Sequence, residues 1–276
     1  MAASRFLLFV PLEGVLLDSR GRVLSGAEDA VARLDHQGIP LILVTSGTRA
    51  ETDARRRELG HVHPFIAEDG SGVFLPEGYF HLRIPNLVRL GRYLAMPLAR
   101  PLEEASAALK TLAESAGMEL VTFSDLTARE IARNSGMPLR AAELARQRDF
   151  QEVFFFAGAG EPAIHRFVDE ARRSGAQIHC RGPFWLFSLG ADVRSAVRQL
   201  TALYDSGQRT RVSTLAVGSA LEDAALLKAV HRPVLLPQTA GPFAAGLEEA
   251  LPQATRVASP GLAGLHQFVE LLTARD

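Results

Sequence analysis

Lysine is almost missing from this chain: only Lys110 and Lys228 occur, and arginine carries the rest of the positive charge. Chemistry that needs a lysine therefore has two candidates. Cysteine is rarer still. Cys180 stands alone, which excludes an internal disulfide and fits a reducing compartment. An excess of either charge is also missing, the formal net charge being −1. Nucleic-acid and membrane binding draw on a basic excess or patch, so neither is expected. No apolar run approaches the ~18 residues needed to span a bilayer, and the expected location is cytoplasmic. The opening MAASRFLLFVPLEG is broken at once by Pro11 and Glu13 and lacks a small-residue cleavage pattern. It reads as a strand rather than a signal peptide.

What is present is an ordinary globular composition. The chain has 276 residues, 47% hydrophobic and 22% charged, enough for one large domain or two smaller ones. Residues 5–10 predict a buried strand. Ala27, Ala30, Val31 and Leu34 recur at helical spacing before Gly38. Ile39 to Val44 predicts the next strand, and Arg49 to Leu59 a helix stopped by Gly60, with Glu51 and Arg55 paired along it and Arg55–Arg57 as its solvated face. The rhythm returns late: a helix lined by Val193, Val197, Leu200 and Tyr204, a strand from Val212 to Val217, and strands at 234–236 and 255–257. Ser259 and Pro260 are the expected start of the last helix. Strand–helix alternation of this kind predicts a doubly wound parallel sheet in an α/β fold. Between about Pro85 and Pro183 shorter helices and strands alternate differently, with a capping box at Thr127 and Glu130, and an inserted α+β module is expected there.

In an open parallel sheet, ligands bind beyond the carboxyl ends of the strands. Three such ends stand out: Pro11–Gly14, Thr45–Thr48 and Gly218–Asp223. The last two run into helix starts, where free N–H groups and the helix dipole favour an anion. Thr45, Ser46 and Thr48 offer hydroxyls suited to phosphate oxygens, although each equally suits a helix cap, and for Thr48 capping is the expected role.

Those three loops, in this order with an insertion between them, resemble the haloacid dehalogenase-like phosphatases with a large cap after the second motif. The closer resemblance is to mannosyl-3-phosphoglycerate phosphatases. TSGTRAETDARRRELG is similar to that family's TSKTRAE helix, PFIAEDGSGVFLP to its PFIxENGxxIF hairpin, RQRDFQEVF to its REFxEPF cap segment, and SDLTAREIARNSGMP to its SDMTxEEVAxxTG. The resemblance runs from Phe6 to about Leu236. It implies a core of residues 1–84 and 184–276 with a cap of residues 85–183. It also implies an aspartate that attacks phosphorus, a second acid two residues on, a Ser or Thr and a Lys on the phosphoryl oxygens, and Mg²⁺ held by aspartates. Such catalysis is mostly positioning and charge neutralisation around one nucleophile.

Set against that pattern, the family's DLDGT is Pro11, Leu12, Glu13, Gly14, Val15, so the nucleophile's place holds a proline. Glu13 keeps the second acid and Ser46 the hydroxyl. Gly47 stands where the close family has a lysine, Val193 stands at the other lysine, and Asp223 alone remains of the last loop's two aspartates. The resemblance further implies Arg49, Arg148, Glu152 and Arg181 on the substrate side, with Thr45, Gly47 and Thr48, and Asp149 completing the cap segment. Loss of a nucleophile that works as part of a unit costs on the order of 10⁶ in turnover. The expectation is a phosphatase fold without phosphatase turnover, needing no cofactor, that binds a phosphorylated small molecule or serves a regulatory or protein partner. The alternative is a phosphomonoesterase of altered mechanism, with Glu13 as general base, Asp223 and Glu222 on Mg²⁺, and Arg49 or Arg194 neutralising phosphate. A third reading leaves the polar residues as caps and turns. His61 and His63 lack a third metal ligand, His179 and Cys180 point to opposite faces of a strand, and Trp185 reads as core.

Overall fold

The structure, a computed structural model, describes residues 5–190, 192–207 and 211–273. Strand β1 (Phe6–Pro11) is buried along its whole length. Its side chains alternate between faces: Phe6, Leu8 and Val10 enter one apolar cluster, Leu7 and Phe9 another. A strand with that pattern requires cover on both sides, as in a parallel sheet between helices.

From β1 the chain runs through α1 (Ala27–His36), β2 (Leu41–Val44), α2 (Arg49–Glu58) and β3 (Phe65–Ala67), then turns back in β4 (Gly72–Pro76), β5 (Val88–Leu90) and β6 (Tyr93–Pro97). It leaves the first sheet through α3 (Leu102–Ala116), β7 (Leu120–Thr122), α4 (Ala128–Ser135), α5 (Leu139–Ala145), β8 (Glu152–Phe156), α6 (Glu161–Arg173), β9 (Gln177–Arg181) and β10 (Phe184–Ser188). It returns in α7 (Val193–Gly207), β11 (Ser213–Gly218), α8 (Ala224–Leu227), β12 (Arg232–Leu235), α9 (Leu247–Ala250), β13 (Thr255–Arg256) and α10 (Gly261–Thr273). Among the described residues the large sheet has the order β13-β12-β11-β1-β2-β3-β4-β6-β5 and the small sheet β7-β8-β10-β9. β1 pairs in parallel with β2 and β11, so chain direction across the sheet reverses beside it.

Helices α1 and α10 cover one face of the large sheet, α7, α8 and α9 the other. The small sheet repeats the arrangement. Leu109 of α3 and Phe167 of α6 pack with Phe154 and Phe187 on one side; Ile131 of α4 and Ala142 of α5 pack with Val153 and Leu186 on the other. Trp185 lies at the edge of the former cluster. Among the described residues no helix is long and apolar enough to cross a membrane.

Both expected boundaries of the insertion move. β5 and β6 follow residue 85 yet extend the large sheet beside β4. β10 follows residue 183 yet pairs with β8 and β9 in the small one. A tight turn at Gly182 and Pro183 makes β9–β10 a hairpin, and local pairing keeps β10 with its neighbour. The two crossings instead meet where Ala99 bridges Gly190 and the Arg100 N–H donates to the Leu189 carbonyl at 2.7 Å. Gly190 has φ 147°, and a Cβ there would lie 2.5 Å from Ala99 Cα.

The α2 surface also departs from expectation. Arg55 pairs with Glu58, while Glu51 closes a capping box with Thr48. Arg56 is not solvated but buried. Its guanidinium donates to His61 Nδ1 at 2.9 Å, the Tyr93 hydroxyl at 2.6 Å and the His63 carbonyl at 2.6 Å. His61 Nε2 meets the Leu41 carbonyl at 2.7 Å, so both ring nitrogens are engaged. The last helix begins at Gly261, just past the expected Ser259–Pro260 start.

Candidate functional site

A cavity of about 970 Å³ opens between the strand ends of the large sheet and the α4/α5 face of the small one. Pro11, buried, ends β1 two residues before the cavity wall begins at Glu13 and brings no carboxylate. Two residues on, Glu13 faces the cavity and water reaches it there, although protein surrounds it. Desolvation raises its pKa, partly offset by the Thr45 hydroxyl, which donates to Oε1 at 2.5 Å. That hydroxyl also accepts from the Gly47 N–H at 2.9 Å. Thr45 thus ties two loops together and is buried beneath them.

The loop after β2 sends successive residues in different directions. Ser46 and Gly47 line the cavity, and no hydrogen-bond partner of the Ser46 hydroxyl occurs among the described residues. Thr48 does not: fully buried, it accepts from the Glu51 N–H at 3.0 Å and donates to the Leu144 carbonyl of the cap at 2.9 Å. A larger residue 47 would crowd this arrangement, since a Cβ would stand 3.1 Å from Thr45 Oγ1 and 3.2 Å from Glu51 Oε2.

From the cap, Arg148 and Arg181 reach the same cavity. Arg148 donates to the Ser46 carbonyl at 3.2 Å and to Gln151 Oε1 at 2.6 Å. Arg181 approaches Asp69 at 3.6 Å. In each, Nε is buried and has no partner. Buried donors of that kind are rare unless a ligand or water completes them. Arg49, expected beside them, instead grips Asp149 through two hydrogen bonds, at 2.9 and 3.3 Å. Glu152 is likewise absent from the wall. It is buried in the cap and accepts from the Ser124 hydroxyl and the Ser124 and Val153 N–H groups.

Asp223 is not on the cavity wall. One carboxylate oxygen accepts the Ser219 and Ala220 N–H groups at 2.8 and 2.9 Å, fixing the turn after β11. Burial raises its pKa against those two bonds. Arg194 is exposed beside Asp192, and Val193 packs into the core. Magnesium needs hard oxygen donors in near-octahedral array. Here position 11 offers none, Glu13 and Asp223 are already bonded, and among the described residues no three Asp, Glu, His or Cys side chains are grouped to hold a metal. The residues present do not fit the ion.

The residues that join the two halves escaped the sequence reading. Glu68, at 0% exposure, accepts the N–H groups of Asp149, Phe150 and Gln151 at 2.8, 3.0 and 2.7 Å. Burial pushes its carboxyl up to about 7 in spite of Arg148 and those donors. Asp69 bonds Gln151 Nε2 and His179 Nε2, both at 3.1 Å. Gly70, with φ 95°, lies against the start of α7, where a Cβ would come within 2.4 Å of the Val193 nitrogen. The signal was a fourth strand end, Glu-Asp-Gly directly after β3.

No known family model matches the chain. A glucosyl-3-phosphoglycerate/mannosyl-3-phosphoglycerate phosphatase of Methanococcoides burtonii is 30% identical over 239 residues, covering 87% of each chain. The enzyme of the same name from Persephonella marina is 31% identical over 234 residues, 84% of each. A solved phosphatase of the haloalkanoate superfamily from Bacteroides thetaiotaomicron superposes with a TM-score of 0.66 at 17% identity, over 99% of this chain and 96% of that one.

Proposed function

This chain belongs to the glucosyl-3-phosphoglycerate/mannosyl-3-phosphoglycerate phosphatase family, within the haloacid dehalogenase-like fold, and from that premise we propose that it binds a phosphorylated small molecule without hydrolysing it. The observation that carries this reading is a juxtaposition. Arg148, Arg181 and Ser46 line one cavity, and each arginine keeps a buried Nε without a hydrogen-bond partner, while β1 ends in Pro11 where the family's motif has its nucleophile. Guanidinium groups suit phosphate oxygens through paired, charge-assisted bonds. Without a carboxylate at residue 11 no aspartyl phosphate forms, and no lysine stands at residue 47 or 193 to neutralise the transferring group. Terms of that kind are each worth about 3 kcal/mol in related catalysis.

The cavity wall supports a second reading more weakly. Glu13 has a raised pKa and faces the cavity, which suits a general base on water. Yet both arginines that could neutralise phosphate in that scheme are elsewhere, Arg49 on Asp149 and Arg194 beside Asp192.

The test is paired. Inorganic phosphate and phosphate esters should raise the melting temperature of the wild-type protein, and Arg181→Gln should abolish the rise. Phosphate release from the same esters, with and without Mg²⁺, should stay at background. Turnover that disappears in Glu13→Gln would establish the second reading instead. Calorimetry should show weak or no Mg²⁺ binding, and tight stoichiometric uptake would count against it.

A further inference from the structure

The turn after β3 holds an uncommon backbone. Glu68, Asp69 and Gly70 all have positive φ, at 51°, 55° and 95°. For residues with side chains that region is disfavoured unless the surroundings over-determine it. Here they do. Glu68 is fixed by three N–H groups of the cap, and the Asp69 N–H donates to the Thr45 carbonyl at 3.2 Å. The turn so held presents a carboxylate of the core to the cap.

Asp69 meets three cap side chains. Its Oδ2 accepts from Gln151 Nε2 and His179 Nε2, both at 3.1 Å, and its Oδ1 lies 3.6 Å from Arg181 Nη2. His179 and Arg181, two residues apart on β9, share one face of that strand. Gln151 is fully buried and carries the contact onward, its Oε1 accepting from Arg148 Nη1 at 2.6 Å. An amide between an acceptor-only carboxylate and a donor-only guanidinium fits one way round. Asp69 thus fixes Gln151, and Gln151 fixes Arg148. Both tethers use a terminal nitrogen, and among the described residues the buried Nε of each arginine has no partner. Burial raises the Asp69 pKa, but its bond to His179, the nearby positive charge and its bond to Gln151 outweigh that and hold the carboxyl below its ordinary range. The family's hairpin motif has asparagine at this place, so the charge is this chain's own.

Resting on the reading above, we infer that Asp69 is a positioning residue of the phosphate site, a core carboxylate that sets the direction of both cap arginines, Arg181 directly and Arg148 through Gln151. An arginine whose rotamer is already held loses less freedom when it grips a ligand. The consequence runs against simple charge counting. An anion that merely competed with phosphate for Arg181 would weaken binding, and its neutralisation would tighten it. A group that orients the donors has the opposite effect when lost.

Asp69→Asn tests this, because asparagine also accepts a left-handed backbone and the side chain keeps its shape while losing its charge. The whole chain is titrated calorimetrically with inorganic phosphate and phenyl phosphate. ¹⁵N NMR follows the arginine Nε–H signals, assigned through Arg148→Gln and Arg181→Gln. Buried Arg56, whose Nε donates to His61, is the internal control. Asp69→Asn should weaken binding of both ligands about tenfold and broaden the ligand-free signals of Arg148 and Arg181, while that of Arg56 stays sharp. Gln151→Met, which keeps the volume and loses both side-chain bonds, should weaken binding and broaden Arg148 alone. Binding that is unchanged or tighter in Asp69→Asn overturns the inference while leaving phosphate binding standing. Weaker binding with both arginine signals unaltered overturns it as well. Gln151→Met reads the relay independently, and an unaltered Arg148 signal there also overturns it. If the folded wild-type protein binds neither ligand, the reading of the site falls and this inference with it.

Discussion

On the core side of the cavity the acids are tied to their own loops: Glu13 to Thr45, Asp18 to Arg22, Glu51 to the Thr48 N–H. On the cap side two guanidinium groups reach the same space with a buried nitrogen unpaired in each. On the proposed reading, recognition and reaction belong to different elements. Nucleophile, metal ligands and lysines in this family are assigned to the ends of large-sheet strands and the start of α7, whereas the arginines come from the cap. Changes at Pro11, Gly47 and Val193 strip charge from one side and leave the other in place. The two sides are held together by a third group, Glu68 on the backbone of residues 149–151, Arg49 on Asp149 and Thr48 on Leu144.

That division can be broken most severely at Gly70. Gly70→Ala forces a Cβ into the backbone of Asp192 and Val193 from a left-handed φ. It should remove about 4 kcal/mol of stability in urea unfolding, through the joint between Glu68 and α7 and not through any ligand contact. A loss below about 1 kcal/mol would show that α7 yields easily.

Glu68 gives the next effect. Its folded pKa of about 7 exceeds the ordinary 4.5, so its stabilisation is complete below about 4.5 and is lost as pH rises through about 7. Stability should fall by on the order of 2 kcal/mol across that window. Glu68→Gln should flatten this part of the profile while lowering stability at pH 5. A wild-type profile already flat there would contradict the assignment.

Arg49 and Asp149 are partly buried, with side-chain exposures of 21% and 11%. A double-mutant cycle on Arg49→Ala and Asp149→Ala should give a coupling of about 1 kcal/mol, between the values for exposed and for buried pairs.

Smallest of all is the expected gain from Pro11→Asp. Restoring one carboxylate leaves residues 47 and 193 without lysine and Asp223 bonded to its own turn, so phosphate release should remain at background. Measurable turnover in that single variant would show that the site lacks one group only.

How far the sequence discloses these features depends on the range of the interactions. The apolar alternation of β1 and the spacing of Ala27, Ala30, Val31 and Leu34 are local, and the elements they predict are present. So is the capping box of Thr127 and Glu130, written within four residues. Arg49 misleads because its partner, Asp149, is 100 residues away, and a motif position says nothing of which acid will meet it. Glu152 misleads for a similar reason: its neighbour in the motif, Arg148, reaches the cavity while Glu152 turns to Ser124. Arg56 lies on a helix rich in charge, where periodicity alone suggests solvent. Only the packing of β3 and β6 over it shows the enclosed network of His61 and Tyr93. Glu68 stood inside a quoted motif, but its role needs the cap backbone, which no local pattern supplies.

Val153 and Leu186 belong both to the interior of the cap and to the wall of the cavity. Anyone reshaping this pocket meets a trade: trimming either residue for a bulkier guest also thins the packing that holds the small sheet to α4 and α5. Phe184 and Met137 lie nearer the surface and keep some solvent access. Room for a new guest is better sought there, where the scaffold has least to lose.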